Sequence, residues 1–99
     1  MRVGYVRCST AEQNEARQLK MMEEQKVEKI FIDKASGKNI DRKDFKAMMA
    51  FVRAGDTVIV ESISRIARNT RDLLTIISSL TEKGVEFVSL GESKEASLN

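Results

Sequence analysis

Histidine, proline and tryptophan are missing from this chain of 99 residues, and cysteine occurs once. Without histidine there is no Ser-His-Asp or Cys-His relay and no HExxH zinc site. A single Cys8 excludes an internal disulfide and a CxxC pair, and it suggests a reducing compartment. No apolar run approaches the roughly 20 residues that a membrane-spanning helix needs. The opening MRVGYVRCST turns polar too early for a secretory signal. These absences lead to the expectation of a cytoplasmic protein with no metal, no cofactor and no membrane partner. Charge excludes little: 17 Lys+Arg against 15 Asp+Glu leave a net +2. Where the arginines fall therefore matters more than their sum.

What is present is the composition of one soluble globular domain, 41% hydrophobic and 32% charged. A chain of this length buries roughly 60–70% of its unfolded surface, enough for one modest core. Short β-branched runs alternate with helical stretches. Residues 2–7 (RVGYVR), 29–33 (KIFID), 57–60 (TVIV) and 85–90 (VEFVSL) read as strands. A first helix from about Ala11 to Gln25 carries Ala16, Leu19 and Met22 amid many charges and reads as half covered. A second carries Phe45, Met48, Met49 and Val52, and a third Leu73, Ile76, Ile77 and Leu80. In both, the i, i+3, i+4, i+7 spacing buries one stripe. Gly84 reads as the stop of the third helix. This alternation predicts an α/β fold with a mainly parallel, four- to five-stranded sheet flanked by helices. Residues 1–90 form the domain, and the polar run 91–99 (GESKEASLN) reads as a tail.

In an open parallel sheet, ligands sit outside the carboxyl ends of the strands. The turns after the first three strands bring Arg7 and Ser9, then Asp33, Gly37 and Arg42, then Ser64, Arg65 and Arg68 to one predicted edge. A hydroxyl facing several guanidinium groups suits a phosphate ester, because the forked donors of arginine match phosphate oxygens. Each residue also has a plainer reading. Ser9 with Glu12, or Thr10 with Gln13, fits a capping box; with Thr10 as the cap, Ser9 stands exposed at a helix N-terminus. Ser64 reads as the N-cap of a turn in which Arg65 and Arg68 share a solvated face. Asn69 and Asp72 read as the cap of the third helix, Arg42 as a first-turn residue beside a capping Asp41, and Asp33 as a strand end. Gly37 reads as a turn residue, and the pairs Met21/Met22 and Met48/Met49 as core filling. Arg7 resists the plain reading, since a cation inside a covered sheet needs an anionic partner.

Three separated motifs resemble those of the serine site-specific recombinases, the resolvase/invertase group. Tyr5-Val6-Arg7-Cys8-Ser9-Thr10 resembles the family's Y-x-R-V-S-T run, and Gln18 falls where the family has a glutamine on the first helix. Asp33-Lys34-Ala35-Ser36-Gly37 with Asp41-Arg42 resembles D-x-x-x-G…R, and residues 64–68 (SRIAR) resemble D-R-L-x-R. The resemblance spans residues 2–90. It implies DNA strand exchange with Ser9 as nucleophile, a 5′-phosphoserine intermediate, and Arg7, Arg65, Arg68 and Arg42 around the phosphate. Asp33 and Gln18 would orient these groups and Tyr5 would support the strand end. DNA would be the partner, with self-association of the parent as a dimer and as a tetramer at synapsis.

The chain departs from the family pattern at three places. Cys8 stands where Val is usual, with similar volume but a labelling hazard beside the nucleophile. Ser64 stands where many members have Asp. The family's long interface helix and DNA-binding domain have no counterpart in residues 91–99, which implies a catalytic core of a longer protein or a truncated product. An inert regulatory remnant is therefore the alternative reading. A small tyrosine phosphatase built on Cys8 is disfavoured, because its loop needs Arg at position 14, where Asn14 stands.

Overall fold

The computed structural model describes residues 1–9, 15–36, 39–40 and 42–91, the side chains of residues 9, 35, 36, 39 and 40 excepted. Along the chain run β1 (Arg2–Ser9), α1 (Glu15–Glu24), β2 (Lys29–Ser36), β3 (Asn39–Ile40), α2 (Lys43–Phe51), β4 (Thr57–Val60), α3 (Thr70–Lys83) and β5 (Glu86–Ser89). A 3-10 turn, Ile63–Arg65, lies between β4 and α3. The strands form one sheet in the order β3-β2-β1-β4-β5. All neighbours are parallel except the short edge pair β2 and β3. This is the predicted α/β class, with a fifth, two-residue strand that lacks any periodic pattern of its own.

The order places the first two parallel strands side by side and sends the third back to the other flank of β1. The crevice between the carboxyl ends of β1 and β4 is thus the topological switch point, where α/β sheets bind ligands. Strand lengths sharpen it. β1 pairs with β2 as far as Ser9 opposite Ala35, but with β4 only as far as Tyr5 opposite Val60. The last residues of β1 therefore project beyond β4 and need partners from elsewhere.

Helices cover both faces. Val3, Tyr5, Phe31, Val58 and Val60 pack with Met48 and Val52 near α2 and with Ile76 and Leu80 of α3. On the opposite face Val6 and Ile59 pack with Met22 of α1. Fully burying Ile76 and Leu80 contributes roughly 1.5–3 kcal/mol each, more than any propensity difference along α3, so packing holds that helix. Its ends are also set as the sequence indicates. Asn69 Oδ1 accepts the Asp72 amide at 2.8 Å, and Gly84 closes the helix at φ 79° with its amide on the Leu80 and Thr81 carbonyls.

α1 differs from its sequence reading. Ala16 is exposed, and the buried positions are Gln18 and Met22. The helix turns its polar Gln18 inward because the projecting end of β1 supplies a carbonyl for it. It also sits close on β1: a Cβ at Gly4 would lie 2.8 Å from Met22 Sδ. β5 is shorter than residues 85–90, running from Glu86 to Ser89. Among the described residues, no helix is long and apolar enough to cross a membrane.

Candidate active site

The site begins at the carbonyl of Arg7. Past the end of β4, this oxygen accepts from Gln18 Nε2 at 3.1 Å and from Arg65 Nη1 at 3.3 Å. Gln18 is fully buried, so a neutral side chain with matched donors is the group that can sit there without a charge to desolvate. Its bond ties α1 to the strand that ends in Ser9. The backbone of Ser9 continues the ladder to β2 opposite Ala35. Thr10, Gly37 and the capping pairs at positions 9–13 lie outside the described residues, as does Asp41.

The Arg7 guanidinium was expected to find an anion. Instead its Nη2 donates to the Ser64 carbonyl in the loop after β4. The side chain is only half-buried, so water and a carbonyl dipole suffice where a fully buried cation would require an ion. Ser64 is likewise not the N-cap of its turn. Ser62 occupies that position without a capping bond, and Ser64 lies inside the turn, sharing a 2.9 Å hydrogen bond with the Ser62 hydroxyl. The turn ends at Arg65, so Arg65 and Arg68 do not share a helical face. Arg68 follows on the approach to α3, exposed, with its amide on Asp72 Oδ2 at 3.0 Å.

Arg65 is held from the other side by Glu61, whose Oε1 accepts Arg65 Nε at 3.0 Å. Glu61 is buried, and its second oxygen forms an ion pair with Arg17 of α1. Sequence reasoning passed over Glu61, although its i, i+4 spacing to Arg65 was a visible pairing signal.

The opposite wall is organised by Asp33. It does not end β2, which runs on to Ser36. Its Oδ1 accepts the Asp44 amide at 2.8 Å, while Oδ2 accepts the Phe45 amide at 2.9 Å and the Tyr5 hydroxyl at 2.6 Å. Asp33 therefore caps α2 from a neighbouring strand, supplying acceptors for two amides that every helix start leaves open. Asp44 returns the contact by accepting the Ile32 amide at 3.0 Å, on the stretch of β2 edge that β3 does not reach. Burial pushes the Tyr5 phenol far above its ordinary pKa, and the hydrogen bond to Asp33 adds to the shift. At neutral pH Tyr5 is thus the proton donor in its hydrogen bond to Asp33.

Arg42 is the N-cap residue of α2 and makes no side-chain cap. Its guanidinium stacks 4.1 Å from the Phe45 ring centroid, donates to the Ile66 carbonyl at 2.5 Å, and lies 3.6 Å from Asp72 Oδ2. Asp72, read from sequence only as part of a cap, also joins Arg42 to the Arg68 backbone. Arg7 and Arg42 thus grip carbonyls at Ser64 and Ile66, on either side of Arg65. Five of the described candidates, Arg7, Gln18, Arg42, Arg65 and Asp33, converge on the loop after β4 and the ends of β1 and β2. Cys8 points to the other face, where its thiol donates to Glu15 Oε1 at 3.7 Å. It is buried, and burial, helped by the Glu15 carboxylate, pushes its pKa up. The labelling hazard expected of it is accordingly weak.

Comparison with known proteins identifies the family and the fold. The chain matches the family described as Resolvase, N terminal domain, over residues 2–98. It is 51% identical over 89 residues to the transposon Tn21 resolvase of Escherichia coli, covering 88% of this chain and 46% of that protein. It is 48% identical over 91 residues to the transposon Tn501 resolvase of Pseudomonas aeruginosa, covering 92% and 47%. A DNA-invertase of Escherichia phage P1 is 40% identical over 97 residues, covering 98% and 52%. The chain thus spans about half the length of the curated relatives it matches. The fold is shared with the C-terminal catalytic domain of ISC1926 TnpA, an IS607-like serine recombinase, at a TM-score of 0.75 and 24% identity, covering 99% of this chain and 76% of that one. With two resolvases near half identity and the family match running almost end to end, the chain belongs to the resolvase N-terminal domain family.

Proposed function

We propose that this chain performs the strand-cutting and rejoining chemistry of a serine recombinase acting on DNA. The observation that carries the reading is the gathering of Arg7, Arg42 and Arg65 at the switch point, beside the strand end that carries Ser9. In the reaction, Ser9 Oγ attacks a backbone phosphorus and loses its proton as the O–P bond forms. The bond from phosphorus to the 3′ oxygen breaks, and that oxygen takes up a proton to leave as a 3′-hydroxyl. The product is a 5′-phosphoserine ester. Attack by a 3′-hydroxyl reverses the step and releases Ser9, so phosphoester bonds are conserved.

Guanidinium groups supply what an imidazole supplies elsewhere. They favour the ionised form of the serine and the extra negative charge of the five-coordinate phosphorus. Placed donors of this kind are worth several kcal/mol each in a water-poor site. Arg68 is exposed and, among the described residues, is held through its backbone amide, which leaves its guanidinium able to turn onto a phosphate. Arg7 and Arg65 lie nearest the end of β1, while Arg42 contributes by holding the Ile66 segment of the same loop. Asp33 and Tyr5 fix α2 and hence Arg42, and Gln18 fixes the strand end. DNA is the substrate, other copies of the protein are partners, and the cytoplasm is the setting.

The test is covalent capture. Protein and a supercoiled plasmid carrying the DNA that flanks the gene are mixed, quenched in detergent and analysed for protein–DNA adducts. Wild-type protein should yield adducts, and Ser9→Ala should yield none while keeping a native circular dichroism spectrum. Adducts that persist in Ser9→Ala would remove Ser9 as the nucleophile. Absence of any adduct from wild-type protein would favour an inert regulatory role.

A further inference from the structure

The chemistry above gives no task to Glu61, yet it is a carboxylate with 7% exposure set directly against the arginine cluster. Burying an ionised carboxylate costs several kcal/mol unless its oxygens are matched, and loss of one partner is correspondingly damaging. Here one oxygen accepts Arg65 Nε, while the other is ion-paired with Arg17 of α1 but accepts no hydrogen bond among the described residues. The backbone is equally constrained. The Gly91 amide donates to the Glu61 carbonyl at 2.5 Å, and a Cβ at Gly91 would lie 2.8 Å from that oxygen. Glu61 is therefore a fixed post at the end of β4.

A guanidinium has five donors in a rigid plane, so binding one edge orients the others. With Nε on Glu61 and Nη1 on the Arg7 carbonyl, the plane of Arg65 is determined by β4 on one side and β1 on the other. Arg17 and Gln18 are adjacent on α1, and they reach Glu61 and the Arg7 carbonyl respectively. A ring of contacts thus closes from β1 through Arg65, Glu61, Arg17 and α1 back to β1. We propose that Glu61, paired with Arg17, is a positioning residue that sets the orientation of the Arg65 guanidinium toward the phosphate and couples it to the placement of α1. This rests on the reading of Arg65 as a phosphate ligand.

Field effects and positioning predict different patterns. Glu61→Gln adds one positive charge near the phosphate, whereas Arg17→Gln removes one. If Glu61 acted only by offsetting charge, the two variants would move the chemical rate in opposite directions. If it orients Arg65, both slow it. The experiment has two arms on the same proteins. The first follows the Arg65 Nε–H resonance by nitrogen-15 NMR without DNA. In wild-type protein it should exchange slowly with water and stand apart from exposed arginines. Glu61→Gln should return it to them, and Arg17→Gln should raise its exchange rate. The second measures single-turnover adduct formation at saturating DNA. The rate should fall about 10- to 100-fold in Glu61→Gln, as expected for misplacing one group near the reacting atoms. In Arg17→Gln it should fall about threefold, while DNA affinity in Glu61→Gln stays at or above wild type.

Because Arg17 is 57% exposed, its variant folds even where Glu61→Gln does not. Unchanged Arg65 exchange in Arg17→Gln, or rates moving in opposite directions in the two variants, would overturn the proposal. If wild-type protein forms no adduct, the functional reading fails instead, and the resonance arm decides the Glu61–Arg65 clamp by itself.

Discussion

Asp33 offers the sharpest test of how this site is built. Its carboxylate serves three donors, the amides of Asp44 and Phe45 and the Tyr5 hydroxyl. Asp33→Asn keeps the shape and leaves one acceptor oxygen. The better orientation puts that oxygen toward Phe45 and Tyr5, so the new NH2 group faces the Asp44 amide, donor against donor. The lost capping bond costs about 1–2 kcal/mol. The two remaining bonds drop from charge-assisted to neutral, which takes away about another 1–2 kcal/mol. A total near 3 kcal/mol corresponds to a fall in Tm of roughly 12–24 °C for a domain of this size. Thermal unfolding by circular dichroism reads the loss, and amide exchange at Asp44 and Phe45 locates it. Tyr5→Phe removes a single bond to the same carboxylate and should cost about 1.5–3 kcal/mol. The double variant should lose less than the sum, because both changes act on the same hydrogen bond, which Asp33→Asn weakens and Tyr5→Phe removes. A loss below about 1 kcal/mol in Asp33→Asn, with Asp44 and Phe45 amides as protected as before, would refute the remote-cap account.

Two further outcomes follow from single groups. Cys8 is buried with its pKa raised, so a disulfide reagent at pH 8 should modify the native chain more than about tenfold slower than the urea-unfolded chain. Similar rates in the two states would place the thiol in solvent. Asp56 accepts the Arg53 amide at 2.9 Å and the Met1 amine at 3.0 Å, contacts that hold its carboxyl below the ordinary range. A carboxyl depressed in the folded state stabilises the fold above its unfolded pKa, about 3.9, and that contribution fades as pH falls through the depressed value. The Tm advantage of wild type over Asp56→Asn should thus be full at pH 6 and shrink on acidification; an advantage independent of pH would show that ionisation of Asp56 plays no part.

Local pattern was sufficient for much of this protein. The β-branched run at 57–60, the apolar spacing of α2 and α3, the Asn69 cap and the Gly84 stop are short-range signals, each decided by neighbours within a turn or two. The same holds for the carboxyl-end clustering of Arg7, Asp33, Arg42 and Arg65, which follows once a parallel sheet is accepted. Partners across the sheet were another matter. A sequence shows that Arg7 needs an acceptor but not that a loop carbonyl 57 residues away supplies it. It shows a candidate Gln18 on the first helix, but not that β1 outruns β4 and leaves a carbonyl for that amide. Nor does it show that the cap of α2 lies in β2. These contacts depend on strand length and register, which are set by how three layers pack and not by any local preference. The residue types and their order were written in the chain; the hand each arginine holds was decided only when the layers closed.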